Sequence, residues 1–360
     1  MKVCAVLVNY HGARDITQAV QSILADRQNI DIVVVDNSDD ALEWEQLRRL
    51  LPPSVCRVRA PGNIGFGRGC NLALEHTDAP FVFLVNPDVR LLPGCTEALL
   101  DALLTDLTLG AVSPRQFLDE ACHWQLPSSW LPTALRAWAT ERAMREPSVA
   151  VRLRKAKDAE NRRFWRATQP IHQRALSGGA MMIRRSAIRP DESMFDPRYF
   201  MYFEDTDLCM RLRRRGLGLA MVPAARAVHA WRNQPHKVAL MSGGSQVYFD
   251  KFYPSDDPWL SKCRAIANAP HRAPYAFQKF PPFGIPRPSH WTEGWILELS
   301  PSPLVEPSVS MTGRDAHINE PVNALAHFES FPVFGRLHSN SASDDLDESY
   351  FFHWNVGPDQ

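Results

Sequence analysis

The stretch FVFLVNPDV, residues 81–89, joins a short apolar run to a turn that carries a carboxylate. Its valine and phenylalanine residues predict a buried strand, and Asn86-Pro87 predicts the turn that ends it. Runs of the same kind precede it at 3–8, 30–35 and 55–58. Between them, apolar residues recur at the three- and four-residue steps of core-facing helices, at 16–24, 42–51 and 70–74. This alternation predicts an α/β fold with a Rossmann-like, mostly parallel sheet flanked by helices.

Polar side chains close three of the predicted strands, namely Asn9, Asp36 and Asp88. Ligands of an open parallel sheet bind beyond the carboxyl ends of its strands, so we expect these side chains around one site. Turn formation alone is the alternative explanation for each of them. A carboxylate in this position suits Mg²⁺ or Mn²⁺, which take oxygen ligands and are commonly held by one or two carboxylates plus substrate phosphates. We therefore expect Asp88 to bind a divalent metal.

A second protein ligand for this metal has to come from elsewhere, because Asn86 stands where another carboxylate would complete a pair. The amide oxygen of Asn86 can contribute through a water molecule. His229 is the best candidate for a direct ligand, since it follows a predicted strand at 217–222 and imidazole suits manganese. The alternative is a surface histidine.

The acidic segment EDTDL, residues 204–208, follows aromatic residues and opens a predicted helix that reaches Arg215. Asp205 is expected at the helix N-terminus, where the backbone dipole favours its ionised form. An ionised, positioned carboxylate can accept a hydroxyl proton, so Asp205 is the candidate general base. Glu204 and Asp207 are interpreted as caps or as partners of Arg211. In the alternative reading, all three acids only cap the helix and face solvent.

The glycine-rich segment PGNIGFGRGCN, residues 61–71, lies between a predicted strand and a predicted helix. Glycine at Gly65 allows the backbone to approach a nucleotide, and Arg68 can neutralise phosphate. The segment follows the third strand and lacks the complete G-x-G-x-x-G pattern. It is therefore weak support for the alternative of an NAD-dependent oxidoreductase.

Length and composition predict one large domain with an appendage. The last 91 residues contain 12 of the 29 prolines, and short strands are predicted there at 295–299 and 331–337, followed by an acidic stretch at 344–348. The 40 basic and 40 acidic residues balance, which argues against a globally basic nucleic-acid binder. Residues 136–166 are locally basic, with ten basic and four acidic side chains. This segment is interpreted as a contact for anionic lipid headgroups or acceptor phosphates, or as a solvated helical face.

The seven cysteines show no C-x-x-C spacing, which indicates a reducing compartment rather than a disulfide framework or a zinc site. No apolar stretch approaches the roughly 18 residues that a membrane span needs, and the N-terminus has no signal-peptide pattern. We expect a cytoplasmic protein, and if residues 136–166 meet lipid headgroups rather than solvent, it lies peripherally at the inner face of the cytoplasmic membrane.

Taken in order, these segments resemble the inverting glycosyltransferases of family two, in particular the rhamnosyltransferase-like branch. The resemblance covers residues 1–250, and its anchors are VNY at 8–10, VDNS at 35–38, NIGFG at 63–67, Asn71, LVNPD at 84–88, SGGA at 177–180, FEDTDL at 203–208 and His229. It implies a GT-A fold over residues 1–255. The nucleotide-binding half would span residues 1–113 and the acceptor-binding half 114–255, with a proline-rich, β-containing extension at 256–360.

The resemblance also implies roles for individual residues. Asp205 would be the catalytic base, Asp88 and His229 would hold the metal, and Asp36 would contact the nucleotide base or ribose. The remaining expected contacts to the nucleotide sugar are Asn9, Asn63, Gly65, Arg68, Asn71, Asn86 and Gly179. The implied reaction moves a sugar from a nucleoside-diphosphate sugar, deoxythymidine-diphosphate rhamnose by branch, to a glycan or lipid-linked acceptor hydroxyl. A sugar-nucleotide-binding protein without transferase activity is the alternative, favoured by Asn86 and the unusual tail.

Overall fold

The computed structural model of the protein describes residues 1–27, 29–230, 237–328, 332–341 and 348–355. Its strands are β1 (Val3–Asn9), β2 (Asp31–Asp36), β3 (Cys56–Arg59), β4 (Phe81–Val85), β5 (Val89–Leu91), β6 (Leu109–Phe117), β7 (Ile171–His172), β8 (Ala180–Arg184), β9 (Gly218–His229), β10 (Ile285–Pro286), β11 (Trp295–Ser300), β12 (Val309–Gly313), β13 (His317–Ile318), β14 (Pro332–Ser339) and β15 (Tyr350–Asn355). Its helices are α1 (Ala13–Asp26), α2 (Ala41–Leu50), α3 (Phe66–Leu74), α4 (Cys95–Thr105), α5 (Ala134–Ala143), α6 (Pro147–Trp165), α7 (Glu204–Arg214), α8 (Lys237–Phe252), α9 (Pro258–Ile266) and α10 (Val322–Leu325).

The first four predicted strands are confirmed as β1 to β4, which lie in the order β3-β2-β1-β4 with every pair parallel. The register places Asn9 at the end of β1 opposite Asp36 at the end of β2. The sheet continues through β8, β6 and β9. Strands β6 and β9 run in the same direction as β1, whereas β5, β7 and β8 run against it. The predicted α/β architecture of the GT-A type, with a mixed and mostly parallel sheet, is therefore confirmed.

Each face of the sheet has its own apolar core, because successive residues of a strand point to opposite faces. Leu7 of β1 belongs to the core that contains Ile16 of α1 and Leu99 of α4. Val6, the preceding residue, belongs to the core that contains Leu208 of α7. The buried apolar side of α7 thereby packs against the sheet. The position of its acidic first turn is set by the loops that surround it.

Two strands differ from the predictions at their prolines. Strand β6 was not predicted, and it pairs with β9 on both sides of a register shift after Pro114. Strand β9 was predicted at 217–222, yet it continues to His229. The continuation forms because its last residues pair with β5.

The C-terminal part forms a four-stranded antiparallel sheet in the order β12-β11-β14-β15. Strands β11 and β14 agree with the predicted β-containing extension, while β12 and β15 were not predicted. Leu118, Trp124 and Leu126 share the core of this sheet, so part of the 114–255 segment packs with the extension. The boundary at residue 255 stays a prediction. Residue 331 of the predicted strand and residues 344–347 of the acidic stretch lie outside the described residues.

A buried ion cluster joins α6 to this C-terminal sheet. Arg154 Nε lies 2.8 Å from Asp158 Oδ1, and its Nη2 lies 2.6 Å from Glu306 Oε1. Arg336 of β14 contacts the same Asp158 oxygen at 2.7 Å and Glu298 Oε2 at 3.4 Å. Part of the basic 136–166 segment is therefore internal, and the contact of its other residues with lipid headgroups or acceptor phosphates stays a prediction. None of the helices in the described parts of the chain combines the length and apolar character needed to cross a bilayer.

Candidate active site

Asp88 and His229 meet beyond the carboxyl end of β4. Asp88 lies in the turn between β4 and β5, and His229 is the last residue of β9. Val89 is paired with His229 across β5 and β9, which brings the residue before Val89 next to the imidazole. His229 Nε2 lies 3.4 Å from Asp88 Oδ1. The two residues predicted to hold a metal are therefore adjacent in space, although 141 positions separate them in the chain.

The imidazole of His229 is oriented by two further residues. Gln116 Oε1 of β6 lies 2.7 Å from His229 Nδ1. An amide oxygen can only accept, so Nδ1 donates this hydrogen bond, and in the neutral imidazole that binds a metal the lone pair is then on Nε2, the nitrogen on the side of Asp88. Gly179 contacts the ring so closely that a Cβ atom there would lie 2.7 Å from His229 Cε1. Ring orientation therefore depends on a hydrogen bond to Gln116 and on the missing side chain of Gly179.

Asp205 lies in the first turn of α7, against the turn formed by residues 177–179. Its Oδ2 accepts a hydrogen bond from the Gly178 amide at 2.9 Å, and its Oδ1 accepts one from the Thr206 amide at 2.6 Å. Burial raises the pKa of Asp205, and these hydrogen bonds lower the pKa without cancelling the effect. The hydrogen bonds at this helix N-terminus stabilise the ionised form of Asp205, but burial raises its pKa by more than they lower it. A raised pKa makes this carboxylate a stronger base.

The turn at 177–179 connects the two halves of the site. The amide of Asn86, two residues before Asp88, donates to the Gly179 carbonyl at 2.8 Å. The amide of Gly178, one residue earlier in the same turn, donates a hydrogen bond to Asp205 Oδ2. Asp88, the predicted metal ligand, and Asp205, the predicted base, therefore lie on either side of one turn that contains Gly178 and Gly179.

The approach to α7 is strained. Tyr202 and Phe203 have φ angles of 68° and 69°, so two consecutive non-glycine residues adopt the left-handed region. Such a backbone persists only when its surroundings impose it. Gly244 of α8 lets that helix approach so closely that a Cβ atom would lie 2.5 Å from the Tyr202 carbonyl oxygen. The Phe203 ring packs 5.7 Å, centroid to centroid, from that of Tyr248 on the same helix. Packing against α8 therefore holds the backbone of residues 202 and 203, which in turn fixes the position of Asp205 in the first turn of α7.

Glu204 differs from its interpretation as a cap or as a partner of Arg211. Phe203 is the N-cap residue of α7, with no side-chain cap, and Glu204 is turned into the protein with 5% of its surface exposed. Its Oε2 makes no hydrogen bond with any described residue. Burial, and then the charge of Asp205, raise the pKa of Glu204 to about 8. Near neutral pH the protonated Glu204 leaves Asp205 to carry the charge of the pair.

Asp207 has the structural role predicted for it. Its Oδ1 accepts from Arg211 Nε at 2.7 Å, four residues along α7, which confirms the predicted ion pair. Lys251 of α8 and the Tyr199 hydroxyl both contact its Oδ2. The carboxylate is fully buried and engaged by these partners, so it locks α7 to α8 rather than facing a substrate.

Asp36 and Asn9 lie side by side at the ends of β2 and β1, and both are buried. Asn9 Nδ2 lies within donating distance of Asp36 Oδ1 at 3.0 Å, Glu43 Oε1 at 3.0 Å and Ser38 Oγ at 3.2 Å. Its amide group is thus occupied inside the protein, where it orients Asp36. The second oxygen of Asp36, Oδ2, is buried without a hydrogen bond to the described part of the chain. That oxygen is the atom suited to a ligand, and the nucleotide contact of Asp36 stays a prediction.

Gly65 serves a contact within the protein. Its φ is +86°, and a Cβ atom there would lie 2.2 Å from the Phe200 carbonyl oxygen. The same carbonyl accepts from the Phe66 amide at 3.0 Å. Asn63 Oδ1 accepts from the Gly65 amide at 3.2 Å and closes the turn. The close backbone approach expected for a nucleotide is thus made by residue 200 of the chain itself.

Asn71 and Arg68 of α3 join the same docking contact. Asn71 donates to the Phe195 carbonyl at 2.7 Å and accepts from the Phe195 amide at 3.0 Å. Arg68 Nε donates to the Pro197 carbonyl at 2.8 Å. These bonds hold the segment before α7 in place. The predicted nucleotide contacts of Asn63, Gly65, Arg68 and Asn71 stay predictions, since protein groups already account for the geometry of these residues.

Three residues beside the site were not predicted. Gln116 orients His229, as described above. The pKa of Tyr202 is raised by burial and then by the nearby charges of Glu204 and Asp88. Burial lowers the pKa of Lys237, and the nearby charge of Asp88 acts in the opposite direction. Lys237 Nζ lies 6.0 Å from the centroid of the Tyr202 ring.

The donor set fits a divalent metal that shares its coordination with substrate. Among the residues that the structure describes, no group of three or more His, Cys, Asp or Glu side chains is arranged to hold an ion. Asp88 would supply a carboxylate oxygen and His229 a neutral imidazole nitrogen. Mg²⁺ and Mn²⁺ are commonly held in this way, with few protein ligands plus water and phosphate oxygens.

Comparison with known sequences identifies the family. The model of glycosyl transferase family 2 matches residues 4–205, more than half of the 360-residue chain. The chain therefore belongs to glycosyl transferase family 2, which confirms the resemblance described above.

Two curated relatives carry rhamnosyltransferase names. An N-acetylglucosaminyl-diphospho-decaprenol L-rhamnosyltransferase of Mycobacterium tuberculosis is 28% identical over 248 residues, which cover 62% of this chain and 74% of the relative. The rhamnosyltransferase WbbL of Escherichia coli is 25% identical over 242 residues, covering 62% of this chain and 82% of the relative.

Solved structures show weaker similarity. GalNAc-T7 with UDP, GalNAc and Mn²⁺ has a TM-score of 0.47 and 16% identity, covering 69% of this chain and 47% of that chain. The mannosyltransferase PcManGT from Pyrobaculum calidifontis, in complex with GDP-Man and Mn²⁺, has a TM-score of 0.46 and 15% identity, covering 76% and 77%.

Proposed function

We propose that this protein is an inverting, metal-dependent glycosyltransferase that moves a sugar from a nucleoside-diphosphate sugar to an acceptor hydroxyl. The observation that carries the proposal is the two-glycine turn, which holds Asp205 through the Gly178 amide and packs Gly179 against the ring of His229. A base and a metal-binding pair at neighbouring positions are what displacement at an anomeric carbon requires.

Asp205 acts as the general base in this proposal. Its pKa, raised by burial, favours proton uptake, and its two backbone hydrogen bonds fix the carboxylate in place. It takes the proton of the acceptor hydroxyl while the oxygen attacks the anomeric carbon from the face opposite the diphosphate. Proton transfer of this kind contributes about 10² to 10⁴ in rate. Protonated Glu204 keeps a second negative charge away from the same carbon.

Asp88 and His229 would hold Mg²⁺ or Mn²⁺, and Gln116 keeps Nε2 of the imidazole available for it. A divalent metal in this position supplies Lewis-acid stabilisation of the charge that grows on the departing diphosphate. Lys237, whose pKa burial lowers and Asp88 raises, adds a cation beside the same leaving group. Asp36 offers its unpaired oxygen Oδ2 to the base or ribose of the donor.

We further propose rhamnose, supplied as deoxythymidine-diphosphate rhamnose, as the transferred sugar, and a glycan or lipid-linked saccharide as the acceptor. The rhamnosyltransferase names of the curated relatives support this choice. A lipid-linked acceptor requires peripheral contact with the inner face of the cytoplasmic membrane. Within residues 136–166, the side chains that can make this membrane contact are those outside the buried ion cluster.

A donor screen tests the proposal. The purified chain is incubated with Mn²⁺ or Mg²⁺ and a set of activated sugars, and released nucleoside diphosphate is measured with and without saccharide acceptors. We expect release with one donor, and a loss of about 10² to 10⁴ in turnover for Asp205→Asn at saturating substrates. Asp250→Asn, an exposed acid on α8, is the matched control and is expected to retain turnover. Donor binding by calorimetry without turnover for any acceptor would instead establish a non-catalytic sugar-nucleotide-binding protein.

A further inference from the structure

A basic cleft lies next to the segment that leads into the catalytic turn and is not used by the mechanism above. It has a volume of about 390 Å³ and is lined by residues of α5, α6 and the segment that contains β7. Its charged and titratable lining residues are Arg136, Glu160, Arg163, His172 and Arg174. Small-molecule sites in proteins start at about 300 Å³, so the cleft is large enough for a phosphate-bearing group.

The positive charge of the cleft is largely uncompensated. Glu160 is its only carboxylate, and it is shared by Arg136 at 3.5 Å and Lys157 at 3.6 Å. Within the described ranges, Arg163 and Arg174 form no ion pair or hydrogen bond through their side chains, and both are exposed. Guanidinium groups of this kind suit bidentate binding of phosphate oxygens.

Arg136 is held in position before any ligand arrives. Its guanidinium carbon lies 5.3 Å from the centroid of the Trp130 ring, a cation–π distance, and Glu160 contacts it from α6. Burial lowers the pKa of Arg136, Glu160 raises it, and the positive charges of Arg174 and Arg213 lower it again. Arg213 of α7 is therefore a further cation near the cleft. An anion bound here would relieve the repulsion among these groups.

The cleft is connected to the catalytic base by two short stretches of chain. Arg174 precedes Gly178, the residue that holds Asp205, by four positions. Arg213 follows Asp205 by eight positions on the same helix, which corresponds to about 12 Å along the axis. Four extended residues span at most about 14 Å, so the Cα atom of Arg174 lies within that distance of the Cα atom of Gly178.

We infer that this arginine cleft is the subsite that binds the phosphate groups of the acceptor substrate. The inference rests on the proposed function, because it requires an acceptor hydroxyl at Asp205. It adds a binding site remote from the metal pair and assigns Arg136, Arg163 and Arg174 to acceptor recognition. The acceptor is accordingly a saccharide whose phosphate or diphosphate lies close to the accepting sugar.

Direct binding tests the site without any sugar transfer. Geranyl diphosphate serves as probe, titrated by calorimetry into the full chain with EDTA, which removes the metal, and with excess deoxythymidine, which occupies the nucleoside part of the donor site without supplying a phosphate. We expect saturable binding that weakens about ten- to a hundred-fold in Arg163→Gln/Arg174→Gln. Arg48→Gln/Arg49→Gln removes two exposed charges from α2 and is expected to bind like the parent chain. Thermal unfolding of each variant verifies that it is folded.

Three results would overturn the inference. Geranyl diphosphate could fail to bind, or bind equally to both double variants. The Arg163 and Arg174 substitutions could instead abolish sedimentation with phosphatidylglycerol vesicles while leaving diphosphate binding intact, which would make the cleft a membrane contact. Donor hydrolysis by the parent chain, measured separately without acceptor, decides the proposed function, so a failure there is distinguishable from a failure of the cleft.

Discussion

A Cβ atom on Gly179 would lie 2.7 Å from Cε1 of His229, a distance that real side-chain contacts essentially never show. Gly179 is thus the residue that allows the imidazole to lie against the catalytic turn. Its φ is outside the left-handed region, so the need for glycine comes from the neighbouring ring and not from the backbone.

Replacing Gly179 with alanine is expected to displace the imidazole from Asp88 while leaving the sheet intact. Because metal ligands depend on their orientation, we expect about 10- to 100-fold weaker activation by Mn²⁺. The measurement is the Mn²⁺ concentration that gives half-maximal donor hydrolysis. Gly243→Ala is the matched control, since a Cβ at that exposed helical position meets nothing within 4 Å. Unchanged Mn²⁺ activation in Gly179→Ala would contradict the role given to His229.

Gln116 is expected to affect metal binding by His229 indirectly, through its hydrogen bond to Nδ1 of the imidazole. In Gln116→Leu, Nδ1 of His229 loses its acceptor, so the tautomer with Nε2 unprotonated is no longer favoured. We expect about tenfold weaker Mn²⁺ activation with little change in the KM for the donor sugar. Gln116→Glu retains an acceptor and is expected to restore activation. If the leucine and glutamate variants behave alike, the hydrogen bond has no functional role.

Much of the sheet is predictable because strands β1 to β4 are short, apolar and separated by helices with regular spacing. Strands β6 and the end of β9 were missed because Pro114 and Pro223 resemble breakers. In the structure the pairing of these strands shifts register between Pro114 and Arg115, which skips from Val222 to Arg226 on β9. An irregular pairing of this kind accommodates a proline that cannot donate to the ladder. Local sequence cannot reveal that a partner strand provides such a bulge.

The candidate site was predictable where a residue follows a strand or opens a helix, as Asp88 and Asp205 do. It was not predictable where the contact is made across the chain. Gln116 is an ordinary polar residue in the sequence and gains its significance from a neighbour 113 positions away. Gly65 and Asn71 appeared suited to a nucleotide, but their closest partners are backbone groups of the segment before α7.

Glu204 is expected to make stability depend on pH. Its folded pKa of about 8 lies above the ordinary value of 4.5, so the folded chain binds more protons than the unfolded chain between these values. The free energy of unfolding therefore falls as pH rises from about 4.5 to about 8. We expect Glu204→Gln to remove this component and to be stabilised relative to the parent chain by on the order of 2 kcal/mol at pH 8.5.

Urea unfolding of the parent chain and the variant at pH 5 and pH 8.5 measures this effect. Glu45→Gln, an exposed acid on α2, is the control and is expected to follow the parent chain at both values. Equal pH dependence of the parent chain and Glu204→Gln would show that Glu204 titrates normally and is not the protonated neighbour of Asp205.

The ion cluster between α6 and the C-terminal sheet is expected to be the largest single electrostatic contribution to holding the extension in place. Burial alone would raise the pKa of Glu298, but Arg154, the neighbouring His338 and Arg336 hold that pKa well below its usual range. Replacing Arg336 with methionine leaves Glu298 and Asp158 short of a buried partner. Loss of one member of such a cluster costs about 3 to 5 kcal/mol.

We therefore expect Arg336→Met to lower the unfolding free energy by that amount, whereas Arg272→Met, at an exposed position, should have an effect within about 0.5 kcal/mol. The lowered pKa of Glu298 stabilises the folded chain at pH values above the pKa that this group has in the unfolded chain. The unfolding free energy should therefore also fall on acidification below about pH 4.5, and it should fall less in the variant. Urea unfolding at pH 7 and pH 4 measures both effects. A destabilisation below 1 kcal/mol in Arg336→Met would mean that apolar packing, and not the buried charges, fastens the C-terminal sheet to α6.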